Sequence, residues 1–520
     1  MAETVPPGNL NPDEAVISRA VAVFMLVVLA VASIPLLVCM PLTSDTVLYD
    51  LQAGKLLSGG TLYRDILEPN LPGIVWVHIA IRGLVGWSTL AMQSANLVIV
   101  ASALTLLSWA VSSRSQFGWT FLLTSCLFFF SRNEWCHGQR DSWMLLPVAL
   151  AILLRVGRGD SSRRCRLIGP VVEGFLWGVA FWIKPHIAVS VVAINGFHLI
   201  TAINPREEFR RTAGVLAGGL LAGMPGIFWL VQSGTWPHFW EMQTEWNPEY
   251  LEIGRERKSW GRLWMMARRL HPWWAVHVFA IPVSLIQIKR MIHARSGHPI
   301  EAASRPPDRG SSRSVTIAVL YLSWFGQALL LQHPMDYIQV PPVILGIAAL
   351  SAYPWRLPTL VRRCGVAIFL LLGLIVSPQL RPPRINLWLD CVTKGTSMQR
   401  MAVLSHGRFP EWKHFEEVIG YLSRQNLQSG ELTCYNVHCI HAYPALGLMP
   451  STRYVGISSL LELFPSHRDE ILSTVQHCGH RFLLADVSES EAVPGAFPWN
   501  HDVAFESGPF RVYRMHPDQW

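Results

Sequence analysis

Long runs of apolar residues recur over the first three quarters of the chain, and no other feature constrains the fold as strongly. A run of about 20 apolar residues is long enough to cross the hydrocarbon core of a bilayer. The 520-residue chain is 51% hydrophobic and 15% charged, whereas an ordinary soluble chain is about one quarter charged. The sequence therefore predicts an α-helical polytopic membrane protein and excludes a soluble globular fold.

The formal net charge of +8 reflects arginines grouped in short segments between the apolar runs. Arginine-rich short loops stay on the cytoplasmic side of a membrane, so this charge sets the topology and does not indicate a nucleic-acid partner. The cytoplasmic segments predicted in this way are residues 112–118, 157–166, 204–211, 289–313 and 353–363. Residues 289–313 also have the proline and glycine content of a flexible linker.

Threading the chain between these loops predicts about eleven spans. They fall at residues 16–40, 91–111, 119–131, 142–156, 167–183, 187–202, 212–232, 272–288, 315–331, 338–352 and 365–380. The first run is too long for a cleaved signal peptide and indicates a retained anchor. Residues 71–87 are apolar but short, and they carry His78 and Arg82, so we expect a helix lying in the outer membrane interface. The Trp-rich residues 233–270 indicate further interfacial helices.

From about residue 381 the composition becomes that of a soluble domain, and it predicts a small extracytoplasmic α/β domain over residues 381–520. Apolar residues recur at helical spacing over 412–422, and residues 432–435, 481–485 and 510–515 are typical of strands. Ser466 followed by Asp469 predicts a helix capping box. An oxidising compartment would allow one disulfide in this part of the chain, whose cysteines are Cys391, Cys434, Cys439 and Cys478, but spacing does not fix its pairing.

Four polar clusters interrupt the apolar pattern, at residues 44–73, 132–141, 183–186 and 332–337. Each has an ordinary explanation alone: an exposed interfacial acid, a salt-bridged turn, a lysine reaching to the surface, and a polar loop. The threading, however, rests on the arginine-rich loops and still puts all four clusters on the outer face. That agreement predicts a chemical site at the outer surface of the membrane.

The motifs in these clusters resemble those of a known group. Asp45 follows the first span, and Ala53, Leu56-Leu57, Gly59-Gly60, Tyr63-Arg64-Asp65 and Pro72-Gly73 come after it. Gly138-Gln139-Arg140-Asp141 and Lys184-Pro185 add two further matches. Together they resemble GT-C glycosyltransferases over about residues 16–380, in particular bacterial relatives of protein O-mannosyltransferases and of the lipid A aminoarabinose transferase. The chain departs from the pattern at Asn70-Leu71-Pro72, where many members have Lys-Pro-Pro.

The resemblance implies an inverting transfer of a sugar from a polyprenyl-phosphate donor to a hydroxyl of a cell-envelope glycan, lipid or protein. The reaction would take place at the outer face of a bacterial cytoplasmic membrane. Asp45 would be the general base, and Asp141 or Glu134 would orient the acceptor or hold Arg140. The charged or polar groups expected to bind the donor phosphate are Arg140, Lys184, His137, Lys55, Arg64 and His333. The implied chemistry requires no cofactor, although Glu134, His137 and Asp141 are candidate ligands for a divalent metal.

Two other functions remain open at this stage. A transporter or flippase for a lipid-linked sugar would place polar groups near the middle of the membrane and often shows an internal repeat. The sequence shows no repeat, and its acids cluster at one face. An inactive relative that binds glycan through its outer domain is the second alternative, and the substitution at Asn70 is the feature that favours it.

Overall fold

Each of the eleven predicted spans coincides with helical structure in the computed structural model. The structure describes residues 17–111, 115–157, 163–296, 309–355, 357–405, 410–489 and 497–515, so parts of four predicted cytoplasmic loops lie outside the described residues. The helices at the predicted spans are α1 (Arg19–Val38), α4 (Thr89–Val111), α5 (Ser115–Phe130), α6 and α7 (Arg140–Trp143 and Leu145–Val156), α8 (Arg163–Ile183), α9 (Ala188–Ile200), α10 (Pro205–Gln232), α14 (Ala275–Ser296), α15 (Arg309–Leu330), α16 (Val340–Ala352) and α17 (Thr359–Val376).

Among the described residues, five helices are long and apolar enough to cross a membrane. They are Arg19–Val38, Thr89–Val111, Pro205–Gln232, Ala275–Arg295 and Ser312–Leu330, and five shorter apolar helices accompany them. The polytopic helical architecture is therefore confirmed. The number of eleven crossings stays a prediction.

Small residues bring α8 and α10 into close contact. A Cβ atom built on Gly218 of α10 would lie 1.9 Å from the carbonyl oxygen of Val171 in α8. A Cβ on Gly174 of α8 would lie equally close, 1.9 Å, to the carbonyl of Val215. In a lipid environment, where apolar burial contributes little, such close backbone packing is what holds helices together.

Short helices form the outer layer of the membrane domain. They are α2 (Ser44–Leu57), α3 (Gly73–Val85), α11 (Trp236–Glu241), α12 (Asn247–Glu256) and α13 (Trp260–Arg269), with a π-helical turn at Met242–Trp246 between α11 and α12. The helix expected over residues 71–87 is α3, but its polar side chains do not face the interface. His78 and Arg82 are buried and bind Asp50 of α2, with 2.8 Å between Nδ1 of His78 and the Asp50 carboxylate.

The C-terminal part contains one four-stranded sheet, in the order β1-β2-β4-β3. Its strands are β1 (Leu432–Cys434), β2 (Phe482–Asp486), β3 (Asp502–Ser507) and β4 (Phe510–Arg514). The parallel pair β1–β2 and the antiparallel strands β3 and β4 are accompanied by α18 (Pro382–Lys394), α19 (Met398–Leu404), α20 (Trp412–Ser423), α21 (Ala442–Leu446), α22 (Ile457–Leu463) and α23 (Arg468–Gln476). The three predicted strands are confirmed. Strand β3 was missed because it lies at the edge of the sheet and is largely exposed, so its sequence shows no clear apolar alternation.

The expected capping box in this part is wrong. Helix α23 has no side-chain cap, because both the backbone N–H and the Oγ of Ser466 donate to Glu249 of α12 instead, at 2.8 and 2.6 Å. The cysteines in the described part of the chain are free thiols, including the four considered for a disulfide. Cys391 lies beside Cys39 at the end of α1, and the Cys478 thiol bonds to His480. Cys391 and Cys478 therefore lie in separate parts of the fold.

The C-terminal domain shares its apolar core with the outer layer. Val47 and Leu51 of α2, together with Ile66, belong to the same buried cluster as the residues of α20 and of the sheet. A salt bridge of 2.8 Å between Arg453 and Glu241 adds a polar contact to the helices around the π-helical turn. The domain therefore packs on the face of the membrane domain that carries the four polar clusters.

Candidate active site

All four polar clusters contribute to one cavity of about 630 Å³ beneath the outer helices. Asn70, Arg140, Lys184 and His333 line it, one from each cluster. Tyr250 of α12 also forms part of its wall. Residues hundreds of positions apart thus meet in a space large enough for a small ligand.

Asp45 lies in the first turn of α2 and is not among the residues that line this cavity, but it contacts one of them. The helix begins where the Thr43 hydroxyl accepts a hydrogen bond from the Thr46 N–H at 3.2 Å, so the carboxyl sits at the positive end of a helix. Burial raises the pKa of Asp45, although Arg140 and a hydrogen bond from Gln139 oppose the shift. Tyr337, which lines the cavity, also hydrogen-bonds this carboxyl. A carboxylate held in this way can accept a proton from a hydroxyl group in the cavity.

Lys184 is buried and fixed by two side chains. Its Nζ lies 2.7 and 2.9 Å from the two oxygens of Asp141, and it also donates to Gln332. Burial lowers the pKa of Lys184 to about 8, while the charge of Asp141 opposes the shift. The ordinary explanation of the motif, a lysine that reaches to the membrane surface, therefore does not apply. It is a cation held at the cavity wall beside Arg140.

Glu68 adds a second acidic group that the sequence reasoning did not single out. Burial, together with the nearby charge of Asp45, raises the pKa of Glu68 to about 7, while Arg140 opposes the shift. Asn70 donates to Glu68 and to the Tyr49 hydroxyl, the latter at 3.3 Å. Asn70 therefore occupies the cavity wall where many GT-C members have a lysine.

Two of the cations expected to bind the donor phosphate, Arg64 and Lys55, lie elsewhere. Arg64 is about half exposed and pairs with its neighbour Asp65 at 2.7 Å. Lys55 lies in a shallow depression with Gln52 and Thr61. Neither contributes to the cavity, so Arg140 and Lys184 are the expected lysine and arginine cations that do.

His137 and Glu134 do not line the cavity. The His137 ring packs on Phe129, with 4.5 Å between the ring centres, and burial lowers the pKa of His137 to about 4, so the ring is neutral. Glu134 accepts a hydrogen bond of 3.3 Å from Ser405. Among the described residues, no three His, Cys, Asp or Glu side chains are gathered as metal ligands, so the set Glu134, His137 and Asp141 is not brought together.

His333 lines the cavity as expected, but as a neutral group. Burial lowers the pKa of His333 to about 4, and its Nε2 bonds the Tyr250 carbonyl at 3.0 Å. Tyr250, Gln332 and Tyr337 are cavity residues that the sequence reasoning did not assign. Gln332 and Tyr337 stood in a cluster already marked as polar, whereas Tyr250 had no signal beyond its place in an outer Trp-rich segment.

The apolar helices, the layer of short helices over a charged cavity and the small α/β domain together form the fold expected from the resemblance to the GT-C group, and a solved structure confirms this fold. The crystal structure of ArnT from Cupriavidus metallidurans in the apo state is similar, with a TM-score of 0.58 over 96% of this chain and 98% of that one. The sequence identity is 14%, so the likeness is one of fold. No protein-family model matches the sequence, and no curated protein matches it.

Proposed function

We propose that this protein is an inverting glycosyltransferase that moves a sugar from a polyprenyl-phosphate donor to an acceptor hydroxyl. The observation that carries the proposal is the meeting of one carboxyl, Asp45, with two cations, Arg140 and Lys184, at a single cavity next to apolar helices. A lipid-linked donor can keep its tail among the helices while its phosphate and sugar enter this cavity. The likeness to ArnT, a lipid A aminoarabinose transferase, supports the same class of reaction.

Asp45 acts as the general base in the proposed reaction. The acceptor oxygen attacks the anomeric carbon from the face opposite the phosphate, and its proton passes to the Asp45 carboxylate. The bond between the anomeric carbon and the phosphate oxygen breaks with both electrons going to the phosphate. One displacement of this kind inverts the anomeric configuration.

Arg140 and Lys184 stabilise the phosphate that leaves. Negative charge on the bridging oxygen grows as the bond breaks, and fixed cations in a site sheltered from water stabilise such charge strongly. Arg140 keeps its charge at any accessible pH, whereas Lys184 depends on Asp141 to hold it as a cation. Asp141 is thus assigned a positioning role, through Lys184.

The proposed reaction needs no cofactor, since a phosphate with two cations beside it can leave unaided. The acceptor belongs to the cell envelope: a glycan, a lipid or a protein. We place the enzyme in the bacterial cytoplasmic membrane with the cavity and the C-terminal domain facing the periplasm or exterior. An inactive C-terminal phosphatase fusion would contradict that orientation.

Transfer of label from polyprenyl-phosphate sugars tests the proposal. Membranes containing wild-type protein, Asp45→Asn or Asp65→Asn would be supplied with a panel of labelled donors. We expect the first variant to lose transfer while remaining in the membrane, and the second to keep it, because Asp65 pairs with Arg64 outside the cavity. Full activity of Asp45→Asn would refute the role of this residue. Absence of transfer by wild-type protein across the panel would favour an inactive glycan-binding protein or a transporter.

A further inference from the structure

One face of α4 carries two buried amide side chains that reach both walls of the site. Gln93 and Asn96 lie about one helical turn apart on this helix and are almost fully buried. Neither lines the cavity. Polar side chains are expensive to bury in a membrane helix unless they form specific hydrogen bonds, so their partners indicate what they do.

Asn96 binds the turn that precedes Arg140. Its Oδ1 accepts from the Gly138 N–H at 3.1 Å and from the indole N–H of Trp143 at 2.9 Å. Its Nδ2 lies 3.4 Å from Nδ1 of His137. A single amide therefore fixes the turn on both sides of Gly138, which has a positive φ of 68°.

Gln93 binds the segment that precedes Asp45. Its Nε2 donates to the carbonyl oxygens of Met40 and Pro41, at 3.3 and 3.1 Å. These carbonyls come just before the residue that caps α2. The same helix face thus holds the backbone leading to the carboxyl and the backbone leading to the arginine.

The two walls also bind each other at this point. The Thr46 hydroxyl donates to the Gly138 carbonyl at 3.2 Å, and the Gln139 amide donates to Thr43 at 3.4 Å. A Cβ on Gly138 would lie 2.8 Å from the Thr46 hydroxyl, so the turn meets the Thr46 side chain with no room for a side chain of its own. Small movements of either segment would be transmitted directly across this contact.

We propose that Asn96 is a positioning residue that, with Gln93, sets the separation between Asp45 and Arg140. This inference rests on the proposed function, because the two residues whose separation it concerns are the base and a phosphate-binding cation of that reaction. A displacement of about 1 Å in a catalytic group can cost on the order of 100-fold in rate. Removing the amide therefore lowers turnover per folded molecule, even though Asn96 touches no substrate.

The first test compares Asn96→Leu with a matched control, Asn195→Leu. Asn195 is a buried amide in α9 that binds Arg155, at the other end of the helical bundle from the cavity. For Asn96→Leu we expect turnover of a polyprenyl-phosphate sugar, normalised to folded protein, to fall by about 10- to 100-fold. For Asn195→Leu we expect less folded protein but unchanged turnover per folded molecule. Equal turnover in Asn96→Leu and wild type would overturn the inference.

Asn96→Asp keeps the acceptor oxygen and serves if the leucine variant does not accumulate. A protonated aspartic acid can accept from Gly138 and Trp143 and donate to His137, which copies the amide. Burial favours the protonated form, so the activity of Asn96→Asp relative to wild type is expected to rise as the pH falls. A low activity of Asn96→Asp at every pH, with no such rise, would contradict the assignment.

A native cysteine in the same turn gives a readout that does not depend on catalysis. Cys136 is buried two positions before Gly138. Peptide-level mapping of N-ethylmaleimide labelling should show Cys136 protected in wild type and in Asn195→Leu, and labelled in Asn96→Leu. Labelling in the variant without measurable transfer by wild type would indicate that the proposed function fails while the positioning role holds. Equal protection in all three proteins would refute the positioning role.

Discussion

Lys184→Met is the substitution for which the structure gives the sharpest expectation. The lysine and its partner Asp141 are both nearly inaccessible, with side-chain exposures of 5% and 0%. Removing the cation leaves a carboxylate buried without its counter-charge. Breaking a buried ion pair from one side costs about 3–5 kcal/mol of folding stability. If Lys184 also stabilises the leaving phosphate, kcat falls by roughly 100- to 1000-fold.

The double variant Lys184→Met with Asp141→Asn separates these two effects. Replacing the stranded carboxylate by an amide removes the uncompensated charge, so most of the lost stability should return. Turnover should not return, because the cation for the phosphate is still missing. Asp141→Asn alone should leave Lys184 without its counter-charge and lower turnover by a smaller factor than Lys184→Met.

Thermal unfolding in detergent and transfer of labelled sugar measure the two quantities on the same preparations. The expected pattern is a low unfolding temperature in Lys184→Met, recovery in the double variant, and inactivity in both. An active double variant would show that Lys184 serves the fold alone. A single variant as stable as wild type would show that the pair is not buried in the way the structure describes.

Three further predictions concern the pH dependence of the reaction, the different roles of Arg140 and Arg64, and helix packing. Burial lowers the pKa of Lys184 to about 8, so kcat/KM should fall as the pH rises through that value and the lysine loses its proton. Lys184→Arg should move this decline to higher pH. A decline at the same pH in the variant would assign it to another group. Arg140→Gln should lower kcat by about 100-fold, whereas Arg64→Gln, which affects an exposed ion pair, should stay within about twofold of wild type in the same transfer assay. Gly218→Ala should lower the unfolding temperature, because the new Cβ would lie 1.9 Å from a carbonyl oxygen. Gly223→Ala on the same helix meets nothing within 4 Å and should be neutral or slightly stabilising. Equal effects of the two substitutions would refute the close packing of α8 and α10.

The membrane architecture was predictable because its signals are local. Apolar runs and arginine-rich loops lie in continuous stretches of sequence, and each predicted span coincides with helical structure. The motifs around Asp45, Arg140 and Lys184 were also local, and these three residues do meet at one place. The missed strand β3 shows the limit, because an exposed edge strand has no apolar pattern to detect.

The direction in which each polar side chain points was not predictable. His137 and Arg140 are three positions apart in one turn, yet the first faces α4 and the second faces the cavity. The positive φ of Gly138 between them turns the chain over, and the amide of Asn96 holds that conformation from a distant helix. Tyr250 likewise reaches the cavity through contacts between segments far apart in sequence, which no local pattern records.

The shared core between α2 and the C-terminal domain has a consequence for biosynthesis. The helix that carries Asp45 is translated well before the apolar partners of Val47 and Leu51 in α20 and β4. Until then these side chains have no protein surface to cover them. A chain interrupted during translation would hold its membrane helices but not a seated α2. Assembly of the site is thus delayed until these later segments have been translated.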